Sequence, residues 1–98
     1  MKTAQQIYDS LLEYMNGYIN PKSSWYAGIA SSPRDRLFSD HNVDEKHGQW
    51  RYDTCESSDD ARAVEEALLK LGCKGGGGGG DHTTKACYVY LITPYTRE

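Results

Sequence analysis

The sequence is short of almost everything that would make it membrane-bound, covalently stapled or strongly basic. No apolar run approaches the ~20 residues that cross a bilayer, and Asp9 and Glu13 interrupt the stretch where a leader would need an uncharged core. That pattern points to a cytoplasmic chain with no membrane contact. The three cysteines, Cys55, Cys73 and Cys87, are odd in number and lack CxxC spacing. They exclude a disulfide framework and are expected as free buried thiols in a reducing compartment. His41, His47 and Cys55 have the right side chains for zinc, but their spacing fits no closed set of four ligands. Positive charge is scarce as well: 11 Lys and Arg face 14 Asp and Glu, for a net charge of −3. A general electrostatic grip on phosphate backbone is thereby removed. Only a local basic face, from Arg34, Arg36 and Arg51, could hold an anion.

What is present fits a single domain spanning residues 1–98, large enough for one modest core without disulfides or metal. Eight Tyr and two Trp stand against one Phe. Rings with an apolar body and a polar tip suit a half-buried sheet or the wall of a cleft.

Periodicity divides the chain into elements. Ile7, Leu11 and Met15 recur every fourth residue and predict a helix over residues 3–15, stopped near Gly17. Residues 24–30 (SWYAGIA) read as a strand. Ser32, Pro33 and Asp35 form a helix-start signal for residues 33–41. Trp50, Tyr52 and Thr54 alternate with Arg51 and Asp53, which predicts a second strand. The serines and aspartates of residues 57–60 precede an apolar stripe of Ala61, Val64, Leu68 and Leu71, and Gly72 ends that helix. Six consecutive glycines at residues 75–80 read as a flexible connector, because neither the strand before nor the Lys-Ser/Thr after a P-loop is there. Residues 88–93 (YVYLIT) predict a last strand. The expected fold class is α+β (mixed α/β), a small three-stranded sheet flanked by about three helices.

The chemistry-bearing residues concentrate in Tyr26-Ala27-Gly28-Ile29, the Ser32-Pro33 turn, Arg36 on the following helix, and His41. Glu65-Glu66-Ala67-Leu68-Leu69 is a second piece, a glutamate followed by two residues and two aliphatics. In this order, with a strand between them, the two pieces resemble the "YIG" half, the arginine helix and the glutamate helix of the GIY-YIG nuclease family. The resemblance covers about half the chain, residues 25–70. The family's usual first strand, with its Gly-aliphatic-Tyr triplet, has no counterpart ahead of Trp25. Its best match is the last strand, so the resemblance implies a permuted arrangement in which that strand lies beside residues 24–30 and Tyr90 takes the place of the first family tyrosine. The family's late asparagine is also missing, with Asp81 or Thr83 as substitutes.

The resemblance implies metal-dependent hydrolysis of DNA phosphodiester bonds. Glu65 would hold Mg2+ or Mn2+, Arg36 would offer a fork of donors to phosphate, and Tyr26, His41 and Tyr90 would position or deprotonate the attacking water. Gly28, Arg34 and Arg51 would contact substrate. Helix geometry separately selects Glu65 over Glu66, because at ~100° per residue Glu65 lies at the edge of the apolar stripe and Glu66 nearly opposite.

Other readings stay open on the same residues. Arg36 could simply pair with Asp40 at i+4, Glu65 could pair with Arg62, Tyr26 could be sheet packing, and His41 could be a helix-end residue. The second functional expectation is a catalytically inactive relative that binds or inhibits a protein partner, as an accessory protein of a phage or mobile element would. Either could work as a homo-oligomer.

Overall fold

Thr3 starts the first helix of the computed structural model, which describes residues 2–75 and 82–97. Its side chain accepts from Gln6 N–H while the Gln6 side chain accepts from Thr3 N–H, a capping box that satisfies two otherwise orphaned donors. Helix α1 (Ala4–Asn16) buries Ile7, Leu11 and Met15, the residues whose spacing predicted it. Strand β1 (Trp25–Ala30) follows a single 3-10 turn. After Pro33, one α-helical turn, Pro33–Asp35, passes directly into a π-helical turn, Arg36–Asp40, and together these make α2. Strand β2 (Trp50–Thr54) precedes α3 (Ser58–Leu71), where Ser57 caps by accepting from Asp60 N–H. Asp59 and Asp60 in its first turn and Lys70 in its last complement the helix dipole. Gly72, at φ 126, closes α3 in a conformation that a side chain would oppose. Strand β3 (Ala86–Leu91) begins two residues earlier than its sequence suggested. The glycines of residues 76–80, and Asp81, lie outside the described residues.

The three strands form one antiparallel sheet in the order β1-β3-β2. The pairing expected between the last strand and the YAGIA strand is present over six residues, from Trp25↔Leu91 to Ala30↔Ala86. The outer edge of β1 is covered in part by the chain leaving α3, where Ala27 N–H donates to Lys74 O and Lys74 N–H to Trp25 O, both at 2.8 Å. An exposed edge would otherwise present unpaired backbone groups.

Side-chain alternation gives the sheet two different faces. Trp25, Ala27, Ile29, Cys87 and Val89 pack against α1 and α3, together with Cys55 and Cys73. All three thiols are free and buried, as expected. The opposite face carries Tyr26, Tyr88, Tyr90, Trp50 and Tyr52, which pack with Leu37 and Phe38 of α2 and with Val43. The tyrosines of the sheet therefore collect on one side, and the buried thiols on the other. No helix among the described residues is long and apolar enough to cross a membrane.

Candidate functional site

The π-turn in α2 decides where His41 goes. Its backbone N–H donates to Arg36 O at 2.9 Å, so the turn closes over five residues instead of four. Residues i and i+5 then lie nearly above one another, and Arg36 and His41 share a face that a regular helix would divide. From there the His41 ring enters the aromatic face of the sheet, 4.9 Å from the Tyr26 ring, 5.0 Å from Tyr90 and 5.7 Å from Tyr88, centroid to centroid. Tyr26 also stacks on Tyr90 at 5.3 Å.

Hydrogen bonds fix the state of that imidazole. Nδ1 lies 2.5 Å from the carbonyl of Arg97, which can only accept, so Nδ1 carries the proton. In the neutral ring Nε2 is then the acceptor, and the Tyr88 hydroxyl, 2.9 Å away, donates to it. The Tyr90 hydroxyl, fully buried, sits 3.0 Å from Nδ1 and donates to Arg97 O at 3.3 Å. Phenol, imidazole and carbonyl thus form a relay like the hydroxyl–imidazole–acceptor arrangement of activated nucleophiles.

Tyr88 is the residue that strand periodicity alone could not pick out. Its register partner is Gly28, and a Cβ on Gly28 would lie 2.5 Å from the Tyr88 hydroxyl and 2.6 Å from its Cζ. Gly28 therefore serves the site by letting the phenol lie across β1. Burial pushes the Tyr88 hydroxyl well above the usual tyrosine range. The Arg36 guanidinium pulls the other way and the Glu65 carboxylate adds to the rise, both less than burial does.

The other sequence-predicted residues fall as follows. Glu65 is 3% exposed while Glu66 is exposed, the choice that helix geometry made. Arg36 is exposed, and its Nε lies 3.6 Å from Asp40 Oδ2, a contact of small energy at the surface. Arg34 pairs with Glu45 and places its guanidinium 5.1 Å from the Phe38 ring centre, at the margin of the aromatic face. Arg51 is not brought to this site. It lies on the α1 face of the sheet, 5.9 Å from the Tyr14 ring, because β2 alternation sends it opposite to Trp50 and Tyr52. His47 pairs with Asp44 on an exposed loop, whereas Cys55 is buried in the core. Among the described residues no group of three His, Cys, Asp or Glu could hold a metal ion. Glu65 offers one carboxylate, an oxygen donor of the kind that Mg2+ or Mn2+ takes in preference to zinc.

Beyond Tyr88, sequence reasoning missed Arg97, whose contribution is a backbone carbonyl and so leaves no side-chain signature. Comparison with protein-family models, with curated proteins and with solved structures finds no match.

Proposed function

We propose that the chain is a GIY-YIG-like, Mg2+- or Mn2+-dependent endonuclease that hydrolyses DNA phosphodiester bonds, with its last strand standing where that family has its first. The observation that carries this reading is the hydroxyl–imidazole pair on the aromatic face: His41 Nε2 accepts from the Tyr88 hydroxyl at 2.9 Å, with the Tyr26 ring 4.9 Å from the His41 ring. Phosphoryl chemistry needs a proton acceptor beside the attacking water, which this pair supplies, and charged groups for phosphate and metal, for which Arg36 and Glu65 are the candidates.

In the reaction, Tyr26, half-buried at the margin of the cluster, orients the attacking water. The water oxygen attacks phosphorus, its proton passes to the Tyr88 oxygen, and the Tyr88 proton passes to His41 Nε2. The departing ester oxygen takes a proton from solvent. The raised affinity of Tyr88 for its proton favours this concerted transfer over a standing phenolate. Arg36 offers its fork of donors to the phosphate, for which it would leave the weak contact with Asp40. Glu65 would hold the divalent ion, which when bound stabilises the charge developing on phosphate and leaving oxygen.

The test is nicking of supercoiled plasmid in Mg2+ or Mn2+ by the wild type beside Glu65→Gln, Arg36→Ala, Tyr88→Phe and Glu66→Gln. Nicking that survives only in the wild type and Glu66→Gln supports the reading. No nicking by the wild type, or equal nicking by all five, removes it. A second reading, a non-catalytic module that binds a protein partner, is favoured by the net charge of −3 and by the engagement of Arg36 with Asp40. It predicts a folded protein with no nicking in either metal.

A further inference from the structure

His41 is held less by its own helix than by a segment fifty residues away. Arg97 N–H donates to His41 O at 2.7 Å, and His41 Nδ1–H donates to Arg97 O at 2.5 Å, so the two residues grip each other backbone to backbone and ring to backbone. Asn42, next to His41 and at φ 56, donates from its side chain to Tyr95 O at 2.8 Å. The Arg97 guanidinium donates to Ser39 O at 3.2 Å. These bonds join residues 39–42, around His41, to residues 95–97. The segment is itself braced. Thr96 Oγ1 accepts from Thr93 N–H and donates to Thr93 O, both at 3.0 Å, and Thr96 N–H donates to Thr93 O at 3.2 Å. A turn so closed presents the Arg97 carbonyl in one direction.

We infer that residues 93–97 are a positioning clasp: the Arg97 carbonyl selects the Nδ1–H tautomer of His41 and so makes Nε2 the acceptor for the Tyr88 hydroxyl. The two ring nitrogens of a neutral histidine differ only by the hydrogen bonds each one makes. Within the network around His41, the carbonyl of Arg97 is the group that can only accept. Without it, Nδ1 has no obligate acceptor, Nε2 can carry the proton, and Tyr88 then faces a donor where it needs an acceptor. The clasp is a property of the fold and holds whatever reaction the site performs. Its kinetic consequence rests on the nuclease reading.

Two variants test it. One ends the chain after Pro94. The other is Thr96→Val, which keeps the shape of the side chain but loses both hydroxyl bonds of the brace, with Thr96→Ser as the conservative rescue. The primary readout is the 15N pattern of the His41 ring, assigned by its loss in His41→Gln. The expected result is a protonated Nδ1 and an unprotonated Nε2 in the wild type and Thr96→Ser, and loss of that pattern in the other two. Plasmid nicking, measured alongside, is expected to fall roughly 10- to 100-fold, as when an outer partner of a functional histidine is removed. A folded truncated protein with the wild-type ring pattern overturns the clasp. If truncation unfolds the chain, Thr96→Val decides, and an unchanged ring pattern there overturns it equally. A wild type that nicks nothing removes the nuclease reading and leaves the ring pattern to judge the clasp, so the two failures are distinguishable.

Discussion

Placing a methyl group on Gly28 is the sharpest perturbation of the arrangement described above. The Cβ of Gly28→Ala would lie 2.5 Å from the Tyr88 hydroxyl oxygen and 2.6 Å from Cζ, so the ring must retreat by roughly 1 Å to reach ordinary carbon contact distance. Tyr88 is only 3% exposed and its hydroxyl is bonded to His41 at 2.9 Å, which leaves little freedom for that retreat. Forcing a buried group aside costs about 1–3 kcal/mol, and losing the bond to His41 about another 1 kcal/mol. The lower backbone entropy of Ala in the unfolded chain offsets about 0.5–1 kcal/mol of this. A net destabilisation of about 2 kcal/mol follows, which in a domain of this size lowers the melting temperature by about 10 °C. Urea denaturation followed by circular dichroism would measure it. The decisive form is a double-mutant cycle with Tyr88→Ala. In that background the methyl group meets open space, so Gly28→Ala should become neutral or slightly stabilising, for a coupling energy of about 2–3 kcal/mol. Additivity within about 0.5 kcal/mol would refute the claim that the phenol crosses the strand at Gly28.

Three more outcomes are expected. Stability should fall in alkali, because Cys55 is raised to about 11, chiefly by burial, and Cys87 well above the ordinary thiol range for the same reason. Folding keeps these thiols protonated, so their contribution is complete below the unfolded thiol pKa of about 8.5 and is lost as pH rises through the folded values, at up to about 1.4 kcal/mol per pH unit for each group. Urea midpoints between pH 8 and 11 should therefore decline more steeply for the wild type than for Cys55→Ala, and parallel curves would contradict this. Gly72→Ala should cost about 1–2 kcal/mol, since φ 126 suits no L side chain, and an unchanged urea midpoint would show that α3 ends differently. Leu11→Ala, which empties a fully buried position between α1 and the sheet, should cost about 2–5 kcal/mol in the same assay.

Much of the fold was legible in the residues because local signals and burial agree. The every-fourth-residue spacing in α1, the serine-aspartate start of α3 and the alternation in β2 each report which side of an element meets the core, and the core lies where they point. The same logic separated Glu65 from Glu66. The site was legible only in part. Tyr26, His41 and Glu65 could be marked from motif order, and Tyr26 and His41 do meet in space. Tyr88 could not be chosen over Tyr90, because both lie on one face of one strand and only the register shows that Tyr88 is the one opposite a glycine. The extra residue of the π-turn has no marker in composition or periodicity, since it depends on how the helix is pulled by its surroundings. Arg51 was misplaced for a complementary reason: grouping arginines by charge ignores the strand alternation that turns this one toward α1.

The order β1-β3-β2 also shapes how the chain must assemble. Both outer strands hydrogen-bond to the one that is synthesised last, and Trp25 must wait for Leu91. During translation, two aromatic-rich segments leave the ribosome with no sheet to join, so the domain cannot gain stability piece by piece from its N-terminal side. Sheet formation instead comes late and all together, the slow, distant-contact regime of folding kinetics. Until then α1 and α3, which already carry their own start signals, are the parts able to form ahead of it.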